Sequence, residues 1–281
     1  MRWQGMRQSG NVEDRRGAPG GGFSFGGGGG GFRTGGMGIG GILILLVIGW
    51  LFGVDPTALL NPDQPLDSGQ VTTSADPLKP PTDETGKMVS AVLGDTEDVW
   101  TKIFSDAGLR YPAPRLVLFS DEVGSACGGA SAAMGPFYCP RDQKVYIDLG
   151  FFNDLDRRFG APGDFAQAYV VAHEVGHHVQ NLFGLLAGGS NNQQSVQQEL
   201  QADCLAGMWG HSAGGRNYLE AGDVEEGLRA AAAIGDDRIQ RATRGRVVPE
   251  SFTHGSSAQR VDALKRGLSS STLEGCGVRP R

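Results

Sequence analysis

Five histidines occur in the 281 residues of this chain, and three fall within the six positions 173–178 of "VVAHEVGHHVQ". In a helix, positions i and i+4 share a face, so His173 and His177 project together, with Glu174 beside them. The pattern is H-E-x-x-H. Two neutral imidazoles can hold zinc, and a carboxylate next to the metal can act as general base on its bound water. The surrounding Val170, Val171, Ala172, Val175 and Val179 make the segment apolar nearly all round. Burying three histidines and an acid there without a partner is costly, and a metal ion removes that cost.

A catalytic zinc needs a third protein ligand and an open fourth position. Downstream, "QQELQADCLAG" places Glu199 and Asp203 again at i and i+4, on a second helix able to pack against the first. Glu199 is the expected third ligand. Asp203 is expected to accept the free ring N–H of a zinc-bound histidine, His173. Cys204 points off the ligand face. No histidine follows in "NLFGLLAGG", which excludes a three-histidine arrangement of the metzincin kind.

Of the other histidines, His178 lies about 100° round the helix from His177 and is expected to pack against a neighbour. His211 reads as a helix-end residue. His254, in the loop "SFTHGSS", is the candidate for steadying an oxyanion, with Tyr218 a weaker one. Asp236 and Asp237 read as helix caps in preference to substrate-binding residues, and for Arg260 a structural ion pair is one option that the sequence alone does not decide.

The elements that must carry these residues follow from periodicity. Apolar residues at helical spacing mark a helix over 88–104, and strands are expected at 115–119 and 144–149. In the second strand Val145, Ile147 and Leu149 alternate with Tyr146 and Asp148, which predicts cover on one face only. The site helix is expected to start with Asp164 as its cap and to run past Gln180. Further helices are expected over 195–209, from Asp223, and from Ser256, where Gln259 completes a capping box. A small antiparallel or mixed sheet followed by helices makes the fold class α+β.

Outside this region the composition changes. The chain holds 46 glycines, with an unbroken run over 26–31. Such a tract is expected to be disordered, and segment 1–36 is read as a cytoplasmic, glycine-rich tail. Residues 37–54, "MGIGGILILLVIGWLFGV", carry no charge over a length that can just span a bilayer. With no A-x-A cleavage pattern after it, the segment reads as an uncleaved anchor. Arg2, Arg7, Arg15, Arg16 and Arg33 precede it and Lys79 is the first basic residue after it. The positive-inside rule then predicts a single-pass protein of the inner (cytoplasmic) membrane, with its N-terminus in the cytoplasm and its mass in the periplasm. Residues 55–83, with six prolines, form a semi-extended linker, and 84–281 form the folded domain.

All four cysteines follow the apolar stretch. In an oxidising compartment Cys127 and Cys139 are expected to close a short loop, leaving Cys204 with Cys276; reduced, buried thiols are the alternative. The net charge of −6 and the lack of a basic patch exclude a nucleic-acid binder.

"AHEVGHHVQ", "QELQADCLAG", the upstream "GPFYCPRDQKVYIDLGFF" and the downstream "GDDRIQ" and "SFTHGSSAQR" together resemble the bacterial putative neutral zinc metallopeptidases. The N-terminal "MRWQGMRQSGNVEDRRG" extends the resemblance over nearly the whole chain. It implies a membrane-anchored, gluzincin-like, zincin-fold peptidase that holds one Zn2+ per chain and acts on protein or peptide substrates. His173, Glu174, His177 and Glu199 match its motif. By analogy with zincin folds, the 144–149 strand is expected to pair an extended substrate along its edge. The competing readings are a non-catalytic, zinc-stabilised scaffold, which has no use for Glu174, and a zinc amidase acting on cell-wall material.

Overall fold

The computed structural model describes residues 1–16, 80–186 and 191–279. The apolar stretch 37–54 and all of the expected linker but its last four residues lie outside the described residues. Among the described residues no helix is long and apolar enough to cross a membrane.

Six strands make two sheets. Strands β1 (Val12–Asp14), β2 (Arg115–Phe119), β5 (Phe137–Cys139) and β6 (Lys144–Asp148) form a mixed sheet in the order β1-β2-β6-β5. β1 and β6 run parallel to β2, and β5 is antiparallel to β6. Strands β3 (Glu122–Ser125) and β4 (Gly128–Ser131) make a separate antiparallel hairpin.

The expected one-sided cover of β6 is not what the fold provides. Val145 and Ile147 face the helices, while Tyr146 on the opposite face is also buried, in a second cluster with Val117, Phe119, Val123, Ala130 and Cys139. The β3–β4 hairpin supplies Val123 and Ala130 to that cluster.

Seven helices follow the chain among the described residues: α1 (Glu84–Asp106), α2 (Gly150–Arg157), α3 (Asp164–Leu182), α4 (Asn192–Gly215), α5 (Asp223–Ala233), α6 (Asp236–Arg244) and α7 (Ser257–Leu268). This is the α+β class. α3 is the central helix, in contact with α1, α4, α5 and strands β5 and β6. Fourteen of its nineteen residues are buried, which is why its sequence is apolar on every side.

Two of the expected helix starts are displaced. Asp164 is the first residue of α3 and Gly163 its cap, so the Asp164 carboxylate is left to accept a hydrogen bond from the Met1 amino group at 2.6 Å. α4 begins earlier than expected, through a capping box of Asn191 and Gln194. The Ser256–Gln259 capping box of α7 forms as expected.

Two disulfides staple the domain. Cys127–Cys139 fixes the far end of β5, and Cys204–Cys276 ties the C-terminal turn to α4. Residues 1–16, expected to be disordered with the glycine tract, are instead part of this fold. They contribute β1 and place Met1, Met6 and Val12 in the main core. Their order comes from long-range contacts rather than from local propensity.

Candidate metal centre and cleft

α3 and α4 pack side by side and bring three side chains to one point. Ligand-capable atoms of His173, His177 and Glu199 all lie within 4.8 Å of one another. His173 Nε2 is 3.2 Å from one Glu199 oxygen, and His177 Nε2 is 3.5 Å from the other.

Gly176 makes this approach feasible. A methyl group there would lie 3.0 Å from the Ala202 carbonyl oxygen and 3.2 Å from its Cα, on the neighbouring helix. Gly176→Val is therefore expected to wedge α3 from α4, cost about 1–3 kcal/mol of stability and weaken zinc binding. A zinc competition titration beside a thermal melt measures both.

Both imidazoles are held from behind. His173 Nδ1 donates to Asp203 at 2.8 Å, and His177 Nδ1 to the Gln180 side-chain oxygen at 2.8 Å. Gln180, fully buried, is anchored in turn by donating to the Gln198 carbonyl at 2.7 Å and to Gln201 at 2.9 Å. With Nδ1 committed, each ring presents Nε2 to the point they share with Glu199, the arrangement that a histidine-bound metal requires.

Asp203 is fully buried and has three partners. Besides His173 it accepts from Tyr169 Oη at 2.5 Å and from the Arg260 guanidinium at 2.9 Å through both Nε and Nη2. Arg260 also donates to Tyr169 Oη at 3.1 Å. Burial opposes the charge on Asp203, yet Arg260 and His173 bring its carboxyl down to about 2. Burial likewise works against a charged His173, but Asp203 and Glu199 lift the ring to about 10. The pocket thus favours positive charge where the three ligand atoms converge. Two imidazole nitrogens and a carboxylate oxygen are a donor set suited to zinc, so the residues fit that ion.

Glu174 lines the same cleft at 6 % exposure, and burial raises its carboxyl above the ordinary value. His254 also lines it. Asp236 holds the His254 loop by accepting backbone N–H groups of Thr253 and His254 at 2.7 Å each and of Gly255 at 3.0 Å. Burial opposes charge on the His254 ring, and Glu199 and Asp236 outweigh it, raising its pKa.

The cleft has a volume of about 500 Å3, within the ordinary range for a ligand site. Met134, Phe137, Phe151, Phe159, Ile234 and Ile239 make much of its wall apolar. Sequence reasoning did not find Gln180 or Tyr169. A glutamine three residues past a ligand and a tyrosine one turn before it carry no signal until the packing is known.

Several residues lie elsewhere. His178 is fully buried and donates from Nε2 to the Pro112 carbonyl at 2.7 Å, while Nδ1 sits 2.9 Å from Tyr138 Oη. Burial holds its pKa down at about 4. His211 bonds the Leu268 carbonyl at the end of α7. Tyr218, the weaker oxyanion candidate, does not line the cleft. Its carbonyl accepts from Arg2, and the Arg216 guanidinium stacks 5.0 Å from its ring. The expectation that β6 offers a free edge to substrate also fails, because β2 and β5 occupy both of its edges. The outer edge near the cleft belongs to β5, whose Phe137 and Tyr138 line the cavity.

An H-E-x-x-H helix packed against a second helix carrying a glutamate, beside a small mixed sheet, defines a chain of the zinc-peptidase type. The model of the family described as putative neutral zinc metallopeptidase matches residues 1–278, and the chain belongs to that family. It is 48% identical over 288 residues to the uncharacterized protein YpfJ of Escherichia coli strain K12, covering 99% of this chain and 98% of that one. It is 43% identical over 236 residues to the uncharacterized protein Rv2575 of Mycobacterium tuberculosis strain H37Rv, covering 75% and 78%. No solved structure matches it at a significant level.

Proposed function

We propose that this chain is a zinc metalloendopeptidase acting on extracytoplasmic proteins or peptides. The observation that carries the reading is the convergence of His173, His177 and Glu199 within 4.8 Å at the wall of an open cleft that Glu174 also lines. A structural zinc site is closed by a fourth protein ligand and has no need of a neighbouring acid, whereas a catalytic one keeps an open position.

His173, His177 and Glu199 are the residues that hold the ion. A zinc ion bound there would supply Lewis acidity toward a water molecule and a peptide carbonyl. Glu174, lining the cleft, takes a proton from the attacking water molecule and returns it to the departing amine. His254, which lines the same cleft, donates to the developing oxyanion. An extended peptide pairs with the outer edge of β5, which replaces the assignment to β6. The apolar wall then favours bulky apolar side chains next to the scissile bond. The two disulfides support an oxidising, extracytoplasmic setting for the domain.

The test is digestion of a peptide library by the zinc-loaded chain, with the new termini mapped by mass spectrometry. Internal cleavage beside large apolar residues, abolished by a chelator and restored by zinc, is the expected result. Cleavage that survives metal removal would remove zinc from the reaction. His177→Ala is expected to lower zinc affinity by at least 100-fold, about 2.7 kcal/mol, measured by competition with a chromogenic chelator.

A further inference from the structure

Residues 1–16 are tied to the domain at several independent places. β1 extends the sheet in the register Val12↔Leu116 to Asp14↔Leu118, and further backbone bonds run from Leu116 N to the Asn11 carbonyl at 2.9 Å and from Arg15 N to the Leu118 carbonyl at 2.8 Å. On α1, Glu97 is 7 % exposed and accepts from Ser9 Oγ at 2.6 Å, Asn11 Nδ2 at 2.7 Å and Arg7 Nη2 at 2.9 Å. The Glu13 carboxylate accepts from Arg115 and Lys144.

Gly94 shows that α1 is shaped for this arm. A Cβ there would meet the Arg7 carbonyl oxygen at 2.3 Å and the Ser9 nitrogen at 3.0 Å, so only glycine lets the arm lie on the helix. A glycine in a helix interior weakens the helix, and the seating of the arm explains this one.

Arg16 donates to Asp83, the cap of α1, at 2.6 Å. Arg16 and Asp83, which flank the uncharged stretch 37–54 in the sequence, therefore lie side by side on the domain. A helix that crosses a bilayer once delivers its two flanks to opposite faces of a hydrocarbon layer about 30 Å thick. Strand pairing at a spacing of about 4.8 Å cannot bridge that distance.

We propose that residues 1–16 and the metallopeptidase domain occupy the same side of the membrane, in place of the cytoplasmic N-terminus and exported domain expected from the sequence. The five arginines that precede the 37–54 stretch do not then mark a cytoplasmic tail. Four of them, Arg2, Arg7, Arg15 and Arg16, pair with Glu220, Glu97 and Asp98, Glu13, and Asp14 and Asp83 respectively. This placement does not depend on the peptidase reading.

The experiment uses the full-length chain in cells, with Gln8→Cys and Thr101→Cys made separately. Both positions are exposed, one on the arm and one on α1, and the native cysteines are paired in disulfides. Each variant is treated with a membrane-impermeant maleimide in intact, permeabilised and detergent-solubilised cells, with the unsubstituted chain as background. The expected result is that the two cysteines label alike, with intact-to-solubilised ratios within about twofold of one another. Labelling of one position in intact cells and of the other only after permeabilisation would place the arm and the domain on opposite sides and overturn the proposal.

Discussion

Glu174→Gln is expected to lower the turnover of a cleaved peptide by about 10²–10⁴-fold while the zinc content stays that of the parent chain. Glutamine keeps the shape of the side chain and loses only the ability to take a proton. The three ligand-bearing side chains are untouched, since Glu174 sits about 100° round the helix from His173 and lines the cleft beside the metal point. Burial already raises the Glu174 carboxyl above its ordinary value, which brings it nearer to the working range of a general base at neutral pH. Parallel zinc analysis and initial-rate measurements on the two chains decide the matter. A variant that binds zinc and still cleaves at the parent rate would remove Glu174 as the base. A variant that loses zinc would show that the acid supports the site rather than the reaction. A scaffold that keeps zinc only for stability predicts no hydrolysis from either chain.

Much of this centre is legible in the sequence because its geometry is local. His173 and His177 share a face through helix periodicity alone, and Glu199 and Asp203 repeat that spacing on the next helix. The structure brings the first three together and seats Asp203 on His173 Nδ1 at 2.8 Å. What the sequence does not reveal depends on contacts between distant segments. β5 has three residues, too few to show an alternation, so its place at the sheet edge emerges only from pairing with β6. The N-terminal arm pairs with a strand about a hundred positions away and adjoins a glycine tract, and its composition therefore reads as unstructured. Gly94, in the interior of α1 where glycine weakens a helix, hints at a covering partner. The displaced start of α3 has a similar origin: Asp164 looks like a cap in isolation, but its carboxylate is engaged by the arm.

Arg260→Met is expected to destabilise the domain by about 3–5 kcal/mol, because it strips the guanidinium from both oxygens of the buried Asp203 carboxylate and leaves only His173 and Tyr169 against it. Neither group reaches solvent appreciably, with Asp203 at 0 % and Arg260 at 2 % exposure, so water cannot replace the lost contacts. For a domain of this size the loss corresponds to a fall in Tm of roughly 6–20 °C. Measuring both chains in excess chelator keeps a change in metal affinity out of the comparison. The pH dependence supplies a second, sharper readout. In the parent chain the Asp203 carboxyl is held at about 2, below its unfolded value, so its contribution to stability is present above about pH 4 and is lost as the pH falls toward 2. Without the guanidinium, burial acts to raise the same carboxyl, and the variant carries a penalty at neutral pH that protonation relieves. The stability difference between the two chains should therefore be largest near pH 7 and shrink as the pH approaches 3. Denaturant titrations at pH 7, 5 and 3 measure it. A difference that is constant across that range would mean that Arg260 contributes packing rather than charge, and Asp203 would then owe its low pKa to another neighbour. Arg260→Lys separates the two contributions further, since it restores a positive charge without the planar fork that engages both oxygens of Asp203. It is expected to recover only part of the loss.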